Sequence, residues 1–312
     1  MTGLILLGLL SGLFFSSTFI LNRAMSLEGG HWVWSATLRY AYMIILLMLI
    51  AGLFQGFRTP WRILRRFAAH WKFWILSGSI GFGGFYSLIC FSADHAPGWV
   101  VATTWQLTIM ASLVVLVCFG RSFSGKVWLF SGIVFLGVLV VNLSQVKLSG
   151  LKELLMGGFP VLIAAFCYPT GNQLVWEAKT GNRRLPDINH PLIENPFNKV
   201  LLLSLGSVPF WLILVAVSRP PLPSQGQLLQ TGLVALFSGI IATTLFLLAR
   251  NNASRASELA AVDASQSSEV IFAVLGEALF LKAALPGPAA WGGIFLVFAG
   301  LALFIGFQES GD

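Results

Sequence analysis

The sequence predicts an all-α polytopic membrane protein whose ten transmembrane helices form two inverted five-helix repeats. Three observations predict it. The 312 residues are 56% hydrophobic and only 10% charged, with a mean hydropathy of +0.82, whereas a soluble domain carries about 25% charged residues. Ten apolar segments recur along the whole chain, joined by short linkers. The two halves of the chain also echo each other in order.

The segments run over residues 3–22, 32–54, 72–92, 98–119, 127–146, 157–176, 199–218, 228–250, 257–281 and 288–307. Each is about 20 residues or more, enough for a helix to cross a bilayer at about 1.5 Å per residue. Segment one starts at Gly3 with no basic residue before it, which argues for a spanning helix over a cleaved signal peptide. It carries Ser16 as a candidate polar contact. Segment two carries Arg39 about two turns inside its outer boundary, placed to bind a carboxylate, pair with an acid or snorkel to the headgroups. Gly78, Gly81, Gly83 and Gly84 in segment three allow close helix packing. They make no nucleotide loop, since they lie inside an apolar run.

Segment four concentrates Thr103, Thr104, Trp105, Gln106 and Thr108 in mid-membrane. Trp105 offers a flat aromatic wall, and Thr104, Gln106 and Thr108 offer hydrogen bonds. The alternative is hydroxyls bonded back to their own helix. In segment six, Tyr168-Pro169-Thr170-Gly171-Asn172 should interrupt the helix, freeing backbone groups at a cavity and marking Tyr168 and Asn172; the alternative is a plain kink. The linker from Glu177 to Asn198, with Pro186, Pro191 and Pro196, reads as an ordered loop.

Segment nine is the least apolar. Asp263, Gln266, Glu269 and Glu277 stand among Ala, Val, Leu and Phe, and a carboxylate near the bilayer centre costs roughly 2.5–3.5 kcal/mol. At about 100° per residue, Gln266 lies about 60° from both Asp263 and Glu269. One face of this helix is therefore wet or protein-facing. Glu269, near the middle, is the candidate proton-coupling or cation-binding acid. Asp263 is the second candidate, nearer the cytoplasmic end, and Glu277 reads as an acid closer to outer water. Gln266 should orient one of them. The alternative for Glu269 is a structural acid hydrogen-bonded to the facing helix.

Loop charge sets orientation. Thirteen Lys and Arg fall in one set of alternate linkers, including Arg62 and Arg184, against five in the other. Both termini should then be cytoplasmic. The net charge of +7 reflects these loops facing anionic lipid, not nucleic-acid binding. Cys90, Cys118 and Cys167 fall in apolar runs without metal-ligand spacing. His31, His70, His95 and His190 are scattered, with no HExxH or Walker pattern. No enzyme chemistry, metal or cofactor follows.

The repeat is weak but ordered. Gly12–Phe19 (GLFFSSTF) lies over Ala164–Gly171 (AAFCYPTG), pairing Phe14 with Phe166 and Thr18 with Thr170. Trp128 and Gly137 pair with Trp291 and Gly300. An odd number of helices per half makes the second copy enter from the opposite side, so residues 1–150 and 151–312 form an inverted pair with a site between them near the midplane.

This plan resembles the drug/metabolite transporter superfamily, nearest to the EamA-type and multidrug-efflux exporters of bacteria. The carriers are Leu38-Arg39-Tyr40, Thr104–Thr108 (TWQLT), Gln266–Glu277 (QSSEVIFAVLGE) and Gly293-x6-Gly300. Many EamA-type sequences have Pro midway along helices four and nine, where this chain has Thr108 and Glu269. The resemblance implies a secondary transporter of the bacterial inner membrane, monomeric or homodimeric. It would export a small organic solute or drug against protons by alternating access. An uncoupled facilitator or exchanger of a zwitterionic metabolite such as an amino acid, held between Arg39 and Glu269, is the nearest alternative. A non-transporting accessory subunit is the alternative of another class.

Overall fold

The structure is a computed structural model that describes residues 2–149, 151–253 and 255–309, and among these residues it is entirely helical. Nine described helices are long and apolar enough to cross a membrane. They are Thr2–Leu27, Trp32–Gln55, Trp71–His95, Gly98–Cys118, Gly125–Gln145, Leu154–Lys179, Pro196–Ser218, Gln225–Asn252 and Pro288–Phe307. At about 1.5 Å per residue each covers the hydrocarbon core. Their outward faces carry exposed Leu13, Ile45, Leu49, Leu212, Ile213 and Phe295, a surface suited to acyl chains rather than water.

Segment nine stands apart. It folds as two helices, Ala256–Ser265 and Ser268–Phe280, and Asp263, Glu269 and Glu277 leave it short of an apolar span by composition.

The linkers are built as their residues dictate. Between segments two and three lies a helix, Thr59–Ala69, with proline in its first turn. Ile63 is buried beneath it while Trp61, Arg62, Arg65 and Arg66 are exposed. That amphipathic pattern suits a helix lying in the headgroup region. The linker after segment six is ordered by side-chain caps. His190 accepts from the Leu192 N–H and Asn195 from the Phe197 N–H. Gln55 and Asn198 exchange amide hydrogen bonds of 3.1 and 2.9 Å, tying segment two to segment seven at this end. At the other end Gln227 donates to the His31 carbonyl and to Ser35 Oγ, both at 2.9 Å.

Several helices cross at backbone distance. A Cβ on Gly137 would lie 2.7 Å from the Gly293 carbonyl, and one on Gly293 would lie 2.7 Å from the Gly137 carbonyl. Segments five and ten therefore meet through these glycines. Segments three and six meet in the same way through Gly81 and Gly171.

That crossing corrects one expectation. Pro169 and Gly171 do not interrupt segment six, since the helix Phe159–Lys179 runs through both. Proline removes a single backbone donor, and the tight packing at Gly171 holds the helix together across it. Thr170 Oγ1 and Asn172 Nδ2 donate back to the carbonyls of Phe166 and Tyr168.

The irregular stretches fall elsewhere. Segments three and eight each contain a π-helical stretch, Ser79–Gly84 and Ala235–Ala242; a third, Leu154–Gly158, opens segment six. Segments four and nine each break within their polar stretch. The N–H groups of Gln106, Leu107 and Ile109 donate to the carbonyls of Thr103, Thr104 and Gln106. Those of Gln266, Ser267 and Glu269 donate to Asp263, Ala264 and Gln266 in the same register. Both breaks form without a proline at the position.

Candidate transport site

The broken segments border a cavity of about 920 Å³. It runs from Phe19 and Ile89 in the interior toward Lys179, Lys199, Arg250 and Asp263. Lys179, Lys199 and Arg250 lie at helix ends beside the basic loops, and Asp263 reaches Arg250 from within segment nine. The aromatic side chains of Phe85, Trp105 and Tyr168 form a cluster on its wall, with ring centroids 4.7 to 5.7 Å apart.

Glu269 sits in the first turn of the helix after the break in segment nine and is buried. Its Oε1 accepts a 2.7 Å hydrogen bond from Gln106 Nε2. Gln106 itself lies at the break in segment four and borders the cavity; its Nε2 also donates to Ala102 O of its own segment, at 3.4 Å. The two breaks thus place a carboxyl group and an amide face to face, and no described cation pairs with Glu269.

The other acids of segment nine have separate surroundings. Asp263 is half-buried at the mouth, where Arg250 Nη1 donates to its two oxygens at 2.7 and 2.9 Å. Glu277 is buried and accepts from the N–H groups of Gly98 and Trp99 at 2.7 and 3.3 Å. It thereby caps the start of segment four across the interface between segments, a position where the exposed helix N–H groups favour a negative charge.

Glu277→Ala is expected to leave two buried donors without partners, at about 1–3 kcal/mol. Glu277→Gln retains one acceptor and should cost less. Thermal unfolding in detergent checks this order; equal melting temperatures for Glu277→Ala and the parent would disprove the cap.

The remaining candidates divide. Arg39, Trp105, Gln106, Thr108, Tyr168, Asn172, Gln266, Asp263 and Glu269 border the cavity, whereas Ser16 and Thr104 do not. Ser16 Oγ donates to the Leu13 carbonyl. Thr104 Oγ1 donates to Val100 O and accepts from Asn142 Nδ2. Thr108 Oγ1 also returns to its own helix, at Trp105 O. The Gln266 side chain makes no described hydrogen bond to the carboxyl group of Asp263, Glu269 or Glu277. Its amide donates to Ser11 Oγ, 3.0 Å away on segment one. Reading the sequence missed Tyr86, Ser238, Phe85 and Arg250. Of these only Tyr86, a polar tip in mid-segment, carried a signal.

Comparison with known proteins follows the same lines. The family described as "EmrE: Putative multidrug resistance efflux transporter" matches residues 2–310. The chain belongs to that family. It is 38% identical to the uncharacterised protein YjlA of Bacillus subtilis (strain 168), over 96% of this chain and 93% of that protein. It is 35% identical to an uncharacterised 42.1 kDa protein from Shouchella clausii, encoded 3′ of an intracellular alkaline protease, over 77% of this chain and 63% of that protein. A solved structure described only as "Crystal structure of protein" shares the fold, with a TM-score of 0.59 at 16% identity over 96% of this chain and 95% of that one. A multi-pass membrane protein of the efflux-transporter type follows from the family.

Proposed function

We propose that this member is a secondary exporter of a small organic solute, coupled to protons and working by alternating access at the cavity. The observation that carries the proposal is Glu269, a buried carboxyl group on the cavity wall whose described partner is a neutral amide. An acid at membrane depth that lines a cavity is a functional group by default, and this one stands in the first turn of its helix. Such a group can load and release a proton as the cavity changes its hydration. Proton and substrate would then be taken up and released in alternation within one cavity.

The architecture proposed with it is ten spans in two inverted repeats, residues 1–150 and 151–312, with both termini in the cytoplasm of a bacterial cell. The paired π-helical stretches and the paired breaks support this arrangement, since each recurs at the equivalent helix of the other half. The cavity, open on the side of the basic loops, then faces the cytoplasm. An accessory subunit without transport of its own would have no use for such a cavity.

The test is reconstitution into proteoliposomes with an imposed proton gradient, screened against cationic, zwitterionic and neutral solutes. Accumulation of one class that collapses with a protonophore is expected. Equal accumulation with and without the gradient would instead indicate an uncoupled exchanger.

A further inference from the structure

Deep in the cavity lies a cation that pairs with no acid among the described residues. Arg39 is 9% exposed and borders the cavity. Its Nη2 donates to Ser238 Oγ at 3.1 Å, and its guanidinium carbon stands 4.0 Å from the centre of the Tyr86 ring. Its Nε has no hydrogen-bond partner among the described residues.

The acids that could neutralise Arg39 are engaged elsewhere. Asp263 is paired with Arg250 at the mouth, Glu277 caps Gly98 and Trp99, and Glu269 meets Gln106. A guanidinium carries five N–H donors in a planar fork, and a buried charge is costly unless it is paired. The neighbouring ring face offsets part of that cost. The remaining donors are matched to a planar anion.

The cavity also limits which anion fits. With one arginine at this depth, a polyphosphate would meet too little charge. The wall beside Arg39 is aromatic: Tyr40 lies 5.3 Å from Phe82 and 5.2 Å from Trp211, ring to ring. Phe85 continues that wall toward Trp105. We infer that the cavity takes an organic monocarboxylate with a flat apolar body, its carboxylate on Arg39 and its body against Tyr40, Phe82 and Phe85. This rests on reading the cavity as the substrate site, and it narrows the substrate class. The same chemistry covers a simple carboxylate and a zwitterion whose ammonium group reaches Glu269.

Equilibrium binding to the purified full-length protein, without any gradient, tests it. The probes are phenylacetate, phenylalanine and phenethylamine, which share a ring and differ in charge. Both carboxylates should bind the parent and weaken about ten- to hundredfold in Arg39→Gln, the range for a lost charge-assisted hydrogen bond. Phenethylamine binding should be unchanged, which also controls for folding. Arg39→Lys, which keeps the charge but not the fork, should fall between. Selective weakening of phenylalanine in Glu269→Gln identifies the zwitterion; equal behaviour of the two carboxylates identifies the simple acid. Undiminished carboxylate binding by Arg39→Gln overturns the assignment. So does a parent that binds neither carboxylate at millimolar concentration. Because no gradient is used, either failure leaves the coupling role of Glu269 standing.

Discussion

Glu269→Gln is expected to abolish gradient-driven accumulation in proteoliposomes, down to the level of protein-free vesicles, while the protein still folds and inserts. The expectation follows from the geometry of one hydrogen bond. Gln106 Nε2 donates to Glu269 Oε1, and a glutamine at position 269 would offer a carbonyl oxygen in the same place. Shape and hydrogen bonding survive; ionisation does not. A neutral substrate should still exchange passively through the variant, and a cationic one should bind it less well. Asp263→Asn is the control. It breaks a part-exposed ion pair, worth about 0.2–1 kcal/mol in such settings, and should leave coupling in place. A Glu269→Gln protein that still concentrates its substrate on a proton gradient would make this acid structural, and Asp263 would become the candidate.

The second large effect concerns the scaffold. Gly206→Ile should cost about 3 kcal/mol or more, at the upper end of what overpacking produces, and yield little monodisperse protein. A Cβ on Gly206 would overlap the Trp74 carbonyl, and one on Gly78 would come within 2.8 Å of Gly206 C. The obstacles are backbone atoms, which no rotamer change removes. Segments three and seven would have to separate, opening the contact around fully buried Trp74. Gly292→Ala provides the contrast, since nothing lies within 4 Å of its added Cβ. Alanine is the better helix former by roughly 0.8–1 kcal/mol, so this variant should match or exceed the parent in melting temperature. Equal stability of Gly206→Ile and the parent would refute the close crossing.

How much of this could be read from the chain depends on the range of the interaction involved. Apolar runs mark helices because each run must satisfy its backbone internally in lipid, so their existence was legible residue by residue. The polar face of segment nine was legible for the same reason. Its breakdown into separate surroundings was not. Glu277 caps a helix that starts 179 residues earlier, and Gln266 reaches Ser11 across 255. No local pattern encodes such partners. The break in segment four occurs at Gln106-Leu107, with neither Pro nor Gly to announce it; tighter i→i−3 backbone bonds and the side chains of Gln106 and Thr108, which donate to Ala102 O and Trp105 O, replace the regular helical ones. Conversely Pro169 looked like a break and is not one, because packing at Gly171 outweighs its local preference.

The acids of segment nine also bear on how the protein is made. Each carboxylate raises the cost of leaving the translocon for lipid by roughly 2.5–3.5 kcal/mol when placed at mid-membrane. The groups that receive Glu277, Glu269 and Gln266 belong to segments four and one, which the ribosome delivers earlier. If segment nine completes the ten spans, it is expected to enter the bilayer as a docking event against helices already inserted, and not as an independent partitioning step. A lesion in segment one or four would then appear first as a stalled or mis-inserted ninth segment exposed to membrane proteases.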